Sequence, residues 1–389
     1  MEKLVLPLLL VGYVLFAMFR TVVGVVLPGI SSEFALNNVE AGVLVSSAML
    51  SQALATAMVG HISGIAGRGR SLFLGYLLLA SGMVLTSLAP NYPVCLLVFS
   101  VSSFGAGVFV ASLYAFVGEM LPRSRGLLLG VTNGVFALGG FAGPWLAGAI
   151  LELHTWRDVF RPLGVAAVPI LIVLMVMLKK RFFSVQYRTS AARSSYFSIL
   201  KNRQVVSFCL LMATANFAFV TFLSWTPTFL LKAQSLTISE AGQFVGVVFL
   251  FGALGSIILG SLSDRIGHGS WTFSMITGIS SGFFSLIIYR GTFSFGHLMI
   301  LAAVFGFTCL AYWNLTIALA QESAGEQDIV LVTGLITYSG TVGGILGPLA
   351  AGILMSTISL GDALTICVGA PFLIYGFAVL CEFRLSRHS

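Results

Sequence analysis

An all-α membrane protein of twelve transmembrane helices, arranged as two six-helix pseudo-repeats, is the fold this sequence predicts, and three observations predict it. Of its 389 residues, 58% are hydrophobic and 8% charged, whereas a soluble domain carries about a quarter charged residues. Apolar runs of roughly 20 residues, enough to cross a bilayer, recur twelve times between short polar breaks. Landmarks also repeat at half the chain length. Gly139-Gly140-Phe141-Ala142-Gly143-Pro144-Trp145-Leu146-Ala147-Gly148 returns as Gly343-Gly344-Ile345-Leu346-Gly347-Pro348-Leu349-Ala350-Ala351-Gly352, with the Gly-Pro pairs 204 residues apart. Pro28 and Pro227 are 199 apart, while Gly60 and Gly260, each opening a short loop after an apolar run, are 200 apart. A duplicated apolar bundle with matched glycine-proline breaks is the pattern of a secondary transporter, whose halves rock around a central site.

The spans follow in order. Span 1, at about 4–30, is preceded by Lys3, carries Arg20 and leads into eleven more spans, so it is expected to be a retained helix and not a signal peptide. Span 2, at about 39–62, ends at the Gly60–Arg70 loop, and span 3, at about 71–89, begins after Arg70. Span 4, at about 93–119, exits through Glu119, span 5, at about 126–150, holds the first Gly-Pro pair, and span 6, at about 159–178, ends at Lys179-Lys180-Arg181. In the second half, span 7, at about 205–231, holds Pro227, span 8, at about 240–262, ends at the Gly260–Gly269 loop, and span 9, at about 271–289, stops at Arg290. Span 10, at about 295–321, ends at Glu322, span 11, at about 329–357, holds the second Gly-Pro pair, and span 12, at about 361–382, runs to Arg384. This divides the chain into a bundle over 1–178, a cytoplasmic linker over 179–204 with a short surface helix around Tyr196 to Leu200, and a second bundle over 205–389 ending in a short cytoplasmic tail. Gly143, Pro144, Gly347 and Pro348 are the expected helix bends.

Charge sets the orientation. With the N-terminus inside, fifteen of the twenty Lys and Arg residues are cytoplasmic, Arg157, Arg161, Lys232 and Arg290 lie outside, and Arg20 is intramembrane. Both termini are thus expected in the cytoplasm of a cell whose inner membrane the chain spans. The net charge of +7 reflects this topology and does not indicate nucleic-acid binding, because the basic residues are scattered over short loops. The five cysteines, Cys95, Cys209, Cys309, Cys367 and Cys381, form neither a C-x-x-C pair nor a metal pattern. No phosphate-binding G-x-x-x-x-G-K-[ST] loop is visible, and the loops are too short for an extramembrane domain. The expectation is therefore a transporter and not an enzyme, with no cofactor or metal, working as a monomer because one chain holds a whole site.

The loop Gly260-Ser261-Leu262-Ser263-Asp264-Arg265-Ile266-Gly267-His268-Gly269 resembles the G-x-L-x-D-R-x-G-x-[RK] signature of the major facilitator superfamily. The matching Gly60–Arg70 stretch keeps the glycine frame and the basic end, with Gly64 and Ile65 in place of the Asp-Arg pair. The Gly-Pro elements of spans 5 and 11 resemble the family's fifth-helix signature, and Glu119-Met120-Leu121-Pro122-Arg123-Ser124-Arg125-Gly126 resembles its exit from span 4. The resemblance covers the whole chain and implies alternating access. Cytoplasmic contacts among Asp264, Arg265, Glu322, Glu119, Arg123 and Arg68 are then expected to favour the outward-facing state. Glu119 and Glu322, 203 apart, read as repeat mates.

An ionisable residue inside a span marks a site, because an arginine at a helix centre costs about 3 kcal/mol. Arg20 lies about 15 Å from the outer end of span 1. No Asp or Glu falls in the middle of any predicted span, and a guanidinium grips carboxylates and phosphates, so the expected cargo is a small, organic or inorganic, anion. Tyr13, Gln52, Asn216, Asn314 and Tyr338 lie at comparable depth as further candidate substrate contacts, with a stripe of Thr333, Thr337 and Thr341 along span 11. Ser224-Trp225-Thr226-Pro227-Thr228-Phe229-Leu230 is similar to the W-x-P-x-[YF]-L element of organic-anion symporters, which also carry an arginine in span 1. Those symporters have an aspartate where this chain has Phe19 and an arginine and glutamate in span 4 where Val101 and Val108 stand, so their proton-coupling machinery is incomplete here. Coupling would instead use a proton at Glu119, Glu322 or His61, the substrate's own proton, or an exchanged anion. Export of amphipathic compounds, suggested by 32 phenylalanines, is the alternative.

Overall fold

The computed structural model describes residues 2–120, 125–179, 199–266, 268–323 and 328–386, and side chains from residue 7 onward except at 68, 117–120, 125–130, 177–179, 330 and 386. The first half contains α1 (Glu2–Thr21), α2 (Val23–Glu33), α3 (Asn38–Ala66), α4 (Arg68–Ser87), α5 (Tyr92–Met120), α6 (Arg125–Leu151), α7 (Arg157–Ala166) and α8 (Val168–Lys179). The second contains α9 (Arg203–Ala233), α10 (Ile238–Arg265), α11 (Gly269–Arg290), α12 (Phe295–Cys309), α13 (Ala311–Glu322), α14 (Ile329–Leu354), α15 (Leu360–Leu364), a π-turn (Thr365–Gly369) and α16 (Ala370–Ser386). Among the described residues all regular structure is helical. Among the same residues eleven stretches are long and apolar enough to cross a membrane, and α1 with α2, bent by 48°, makes a twelfth if the pair is one span. The expected surface helix of the linker falls outside the described residues, save Ile199 and Leu200.

Among the described residues four spans are interrupted, each for a local reason. At the bend of span 1, Thr21 turns its hydroxyl back onto the carbonyls of Ala17 (2.8 Å) and Met18 (3.3 Å), and Val25 bonds to Val22 three residues back; both devices distort an α-helical ladder. In span 10, Thr308 does the same to Val304 and Phe305, just before the break at Leu310. Span 6 breaks at Ala167, where Pro169 lacks the N–H that would bond Val165. Ahead of Pro371 in span 12, the amide of Ala370 reaches back five residues to Thr365. Gly60 and Gly260, by contrast, do not open loops. The helices continue to Ala66 and Arg265, because within a bilayer an unbonded backbone costs more than the roughly 1 kcal/mol that glycine forfeits in a helix. The turns come later, at Gly67 and His268, both with positive φ (80° and 62°).

The chain forms two compact units. Unit 1 comprises Met1–Asn37, Val43–Tyr187 and Thr237–Gly246, and unit 2 comprises Asn38–Gly42, Arg188–Leu236 and Val247–Ser389. The heads of spans 2 and 8 are thus exchanged. Within unit 1, α6 lies on α1 through Gly143, where an added Cβ would sit 2.9 Å from Met18 Cα and 3.0 Å from Thr21 Oγ1. Within unit 2, the mate Gly347 lies against the Phe217 carbonyl and Thr221 Oγ1, and Thr221 is 200 residues beyond Thr21. The exchanged heads repeat the device. A Cβ on Gly148 would stand 3.0 Å from the Ile238 carbonyl and one on Gly242 would strike that of Pro144, while a Cβ on Gly42 would stand 2.8 Å from the Pro348 carbonyl and one on Gly352 would strike that of Asn38. Small residues permit these backbone-to-backbone approaches. Continuous helix runs through both Gly-Pro pairs, so these residues act visibly as packing surfaces.

Ends are also fastened in parallel. Thr155 donates to Asp158 and Ser359 to Asp362, pairs 204 residues apart, while Thr237 and Glu240 form a reciprocal capping box. At the end of α2, Glu33 accepts from Trp156 Nε1 at 2.6 Å and from Arg157, whose guanidinium lies over the Trp156 ring and donates to the Ser87 carbonyl.

Candidate functional site

The site begins with the bend in span 1. Arg20 occupies the last turn of α1, where the partial negative charge of a helix C-terminus favours a cation. Its Nη1 donates to Gln52 Oε1 of α3 at 3.2 Å, and Arg20 and Gln52 are both half-buried. The backbone at Gln52 is approached closely by α5, since a Cβ on Gly107 would lie 2.6 Å from the Gln52 carbonyl. Two predicted residues are therefore brought together. The neighbouring Phe19 is core, 5.2 Å from Phe99 between ring centroids and also against Phe160, which is why an aspartate has no place there.

Two turns before Arg20, Tyr13 is buried and its hydroxyl lies 2.9 Å from that of Tyr114 on α5. Phe16 stacks on Tyr13 at 5.4 Å, and Phe136 stands 6.2 Å from Tyr13. Tyr114 was not anticipated from sequence. Its partner is 101 residues away, a pairing across spans that the linear pattern does not encode.

Unit 2 treats its candidates differently. Asn216 is buried, donates to the Gly340 carbonyl at 2.6 Å and accepts from Tyr312 at 2.8 Å, so it joins α9, α13 and α14. Asn314 is exposed, and Tyr338 is 58% exposed. The threonine stripe turns inward on its own helix, with Thr333, Thr337 and Thr341 each donating four residues back. At the repeat offset of 200, Tyr13, Arg20 and Gln52 correspond to Ala213, Val220 and Gly252, and at 203 Tyr114 corresponds to Ile317. The polar set of unit 1 thus has no copy in unit 2.

Among the gating candidates, Glu322 accepts from Ser270 Oγ at 2.8 Å, placing the carboxylate at the first turn of α11. Asp264 and Arg265 are exposed in the last turn of α10. The side chains of Arg68 and Glu119 and the whole of Arg123 lie outside the described residues. Among the described residues no cluster of three metal-ligating side chains occurs.

A family model described as Major Facilitator Superfamily matches residues 9–348. The chain is 23% identical over 371 residues to the cis,cis-muconate transport protein of Acinetobacter baylyi, spanning 90% of this chain and 86% of that one. It is 24% identical over 373 residues to the fosmidomycin resistance protein of Escherichia coli, spanning 93% and 89%. Its fold superposes on a mutant of the nucleoside transporter NupG with a TM-score of 0.81 at 13% identity, covering 98% of this chain and 100% of that one.

Proposed function

From the premise that this chain belongs to the Major Facilitator Superfamily and is a multi-pass membrane transporter, we propose that it moves a small organic anion across the inner membrane by alternating access. The observation that carries this reading is Arg20, held by Gln52 at the C-terminal end of a half-helix inside an apolar span. A guanidinium at such a place binds a carboxylate with charge-assisted hydrogen bonds, and the bend exposes a backbone end of the kind that secondary transporters use at their sites. The names of several relatives, for muconate, sulfoacetate and hexuronate, support an anion.

Coupling by a proton or by exchange of a second anion is part of the proposal. Asp264, Arg265, Glu322, Glu119, Arg123 and Arg68 are its proposed cytoplasmic contacts, and the acceptance by Glu322 of a hydrogen bond from Ser270 is compatible with a role at that end of the helices. The distribution of basic residues supports cytoplasmic termini, and the proposal has one chain acting alone. A second reading, export of drug-like compounds, is favoured by the resemblance to the fosmidomycin resistance protein.

Uptake into liposomes holding the purified protein decides between them, with small carboxylates, phosphate and cationic dyes offered to wild type and Arg20→Ala. Saturable carboxylate flux lost in the variant is the expected result. Dye movement indifferent to the substitution, or carboxylate flux undiminished by it, overturns the anion site.

A further inference from the structure

We infer that unit 2 binds a water molecule in its interior, between α11, α13 and α16, through the hydroxyls of Ser274, Thr277 and Tyr375. Five hydroxyls, on Ser270, Ser274, Thr277, Ser281 and Ser285, recur along α11 at intervals of three and four residues and so share one face. All five residues are buried. Three of the hydroxyls are accounted for: Ser270 donates to Glu322 at 2.8 Å, Ser281 pairs with Thr308 at 3.3 Å, and Ser285 donates back to the Gly282 carbonyl. Among the described residues, Ser274 Oγ and Thr277 Oγ1 have no hydrogen-bond partner, although neither residue exposes any surface. A buried hydroxyl left in that condition is costly, so each one needs an explanation.

The neighbourhood supplies one. The bonds of Ser270 and Ser281 set the register of spans 9 and 10, which brings the stretch of α13 holding Thr316 level with Ser274 and Thr277. Thr316 Oγ1 donates to the Tyr312 carbonyl at 2.7 Å, and it therefore accepts, also at 2.7 Å, from the Tyr375 hydroxyl of α16. That spends the one proton of Tyr375 and leaves its oxygen able to accept. Tyr375 lies against this part of α11, since a Cβ on Gly278 would stand 2.6 Å from its ring, and Ser274 is a neighbour of its hydroxyl. Two donors and one acceptor thus converge. A water that accepts from Ser274 and Thr277 and donates to Tyr375 makes three hydrogen bonds, the usual number for buried water. A cation would take lone pairs only and leave both protons without an acceptor, while Glu322, the carboxylate of α13, is engaged by Ser270. Held there, the water adds a polar tie between α11 and α16, whose backbones meet at Gly278 and Gly376.

The test uses the purified full-length protein in detergent. Thr277→Val, which keeps the shape of the side chain, and Ser274→Ala are each expected to lower the melting temperature by about 2 °C, alike in sodium and in choline chloride. The double variant is expected to depart from the sum of the two, because both hydroxyls act through one molecule. A melting temperature that holds or rises means dry hydroxyls, additive losses mean separate partners, and losses confined to sodium mean a bound cation; each of these overturns the site. Should a variant fail to fold, a crystal structure of the wild type at a resolution that shows ordered solvent decides. Density within hydrogen-bond reach of Ser274 Oγ, Thr277 Oγ1 and Tyr375 Oη is the expected result, and a dry contact there overturns the inference.

Discussion

Arg20 shows how one residue can be legible while its neighbours are not. A single guanidinium in an apolar run stands out, because its cost must be met by a helix end, a hydrogen bond or a ligand. The partnership with Gln52 could be guessed only as shared depth, and Tyr114 not at all, since pairing across spans depends on packing that a linear pattern does not encode. Gln52→Leu keeps the charge but frees its orientation, so anion KM should rise about fivefold, the worth of one hydrogen bond, with transport persisting in liposomes. Arg20→Ala should abolish transport without preventing membrane insertion, and Arg20→Lys should retain weak binding at best, because an ammonium lacks the planar fork. Elsewhere, Glu33→Ala removes the acceptor shared by Trp156 and Arg157. With Glu33 39% and Arg157 21% exposed, the loss should be about 1 kcal/mol, read as a small drop in melting temperature in detergent.

At the level of helices, glycine plays two opposite parts. Nothing lies within 4 Å of a Cβ built on Gly60 or Gly260, so Gly60→Ala and Gly260→Ala should each stabilise by about 0.5–1 kcal/mol through a less flexible unfolded chain. Gly347→Ala pushes a methyl into the Phe217 carbonyl and Thr221 Oγ1, and should destabilise by about 3 kcal/mol. Thermal unfolding of the four purified proteins ranks them, and equal shifts at all three positions would contradict the packing described. Sequence located these glycines but misread Gly60 and Gly260 as loop openings, because glycine's low helix propensity is a solution property that lipid overrides. The breaks at Val22 and Leu310 escaped notice because no proline stands at either, and threonine back-bonding does not by itself mark a break, since Thr333, Thr337 and Thr341 back-bond along the unbroken α14.

For the molecule as a whole, duplication was the most readable property, since Thr21 and Thr221, Gly143 and Gly347, and Asp158 and Asp362 keep both spacing and contacts. Against that background the departures stand out, and those on which the proposed anion site rests, at Arg20 and Gln52, fall in the first repeat. The proposed topology of twelve spans with both termini cytoplasmic is checked with reporters fused to either end, which should both be active in the cytoplasm; a split result would remove a span from the count. The exchange of span heads between units was not legible, because it joins segments hundreds of residues apart through bare backbone. It also has an unequal timetable. When Gly242 leaves the ribosome, Pro144 is already made, whereas Gly42 precedes Pro348 by 306 residues. At about 5–20 residues per second, the head of span 2 must wait about 15–60 s for its neighbour. Only a helix, its backbone groups bonded internally, can idle that long in oil, so the second unit is the last to close during biogenesis, and Gly42 is among its final seams.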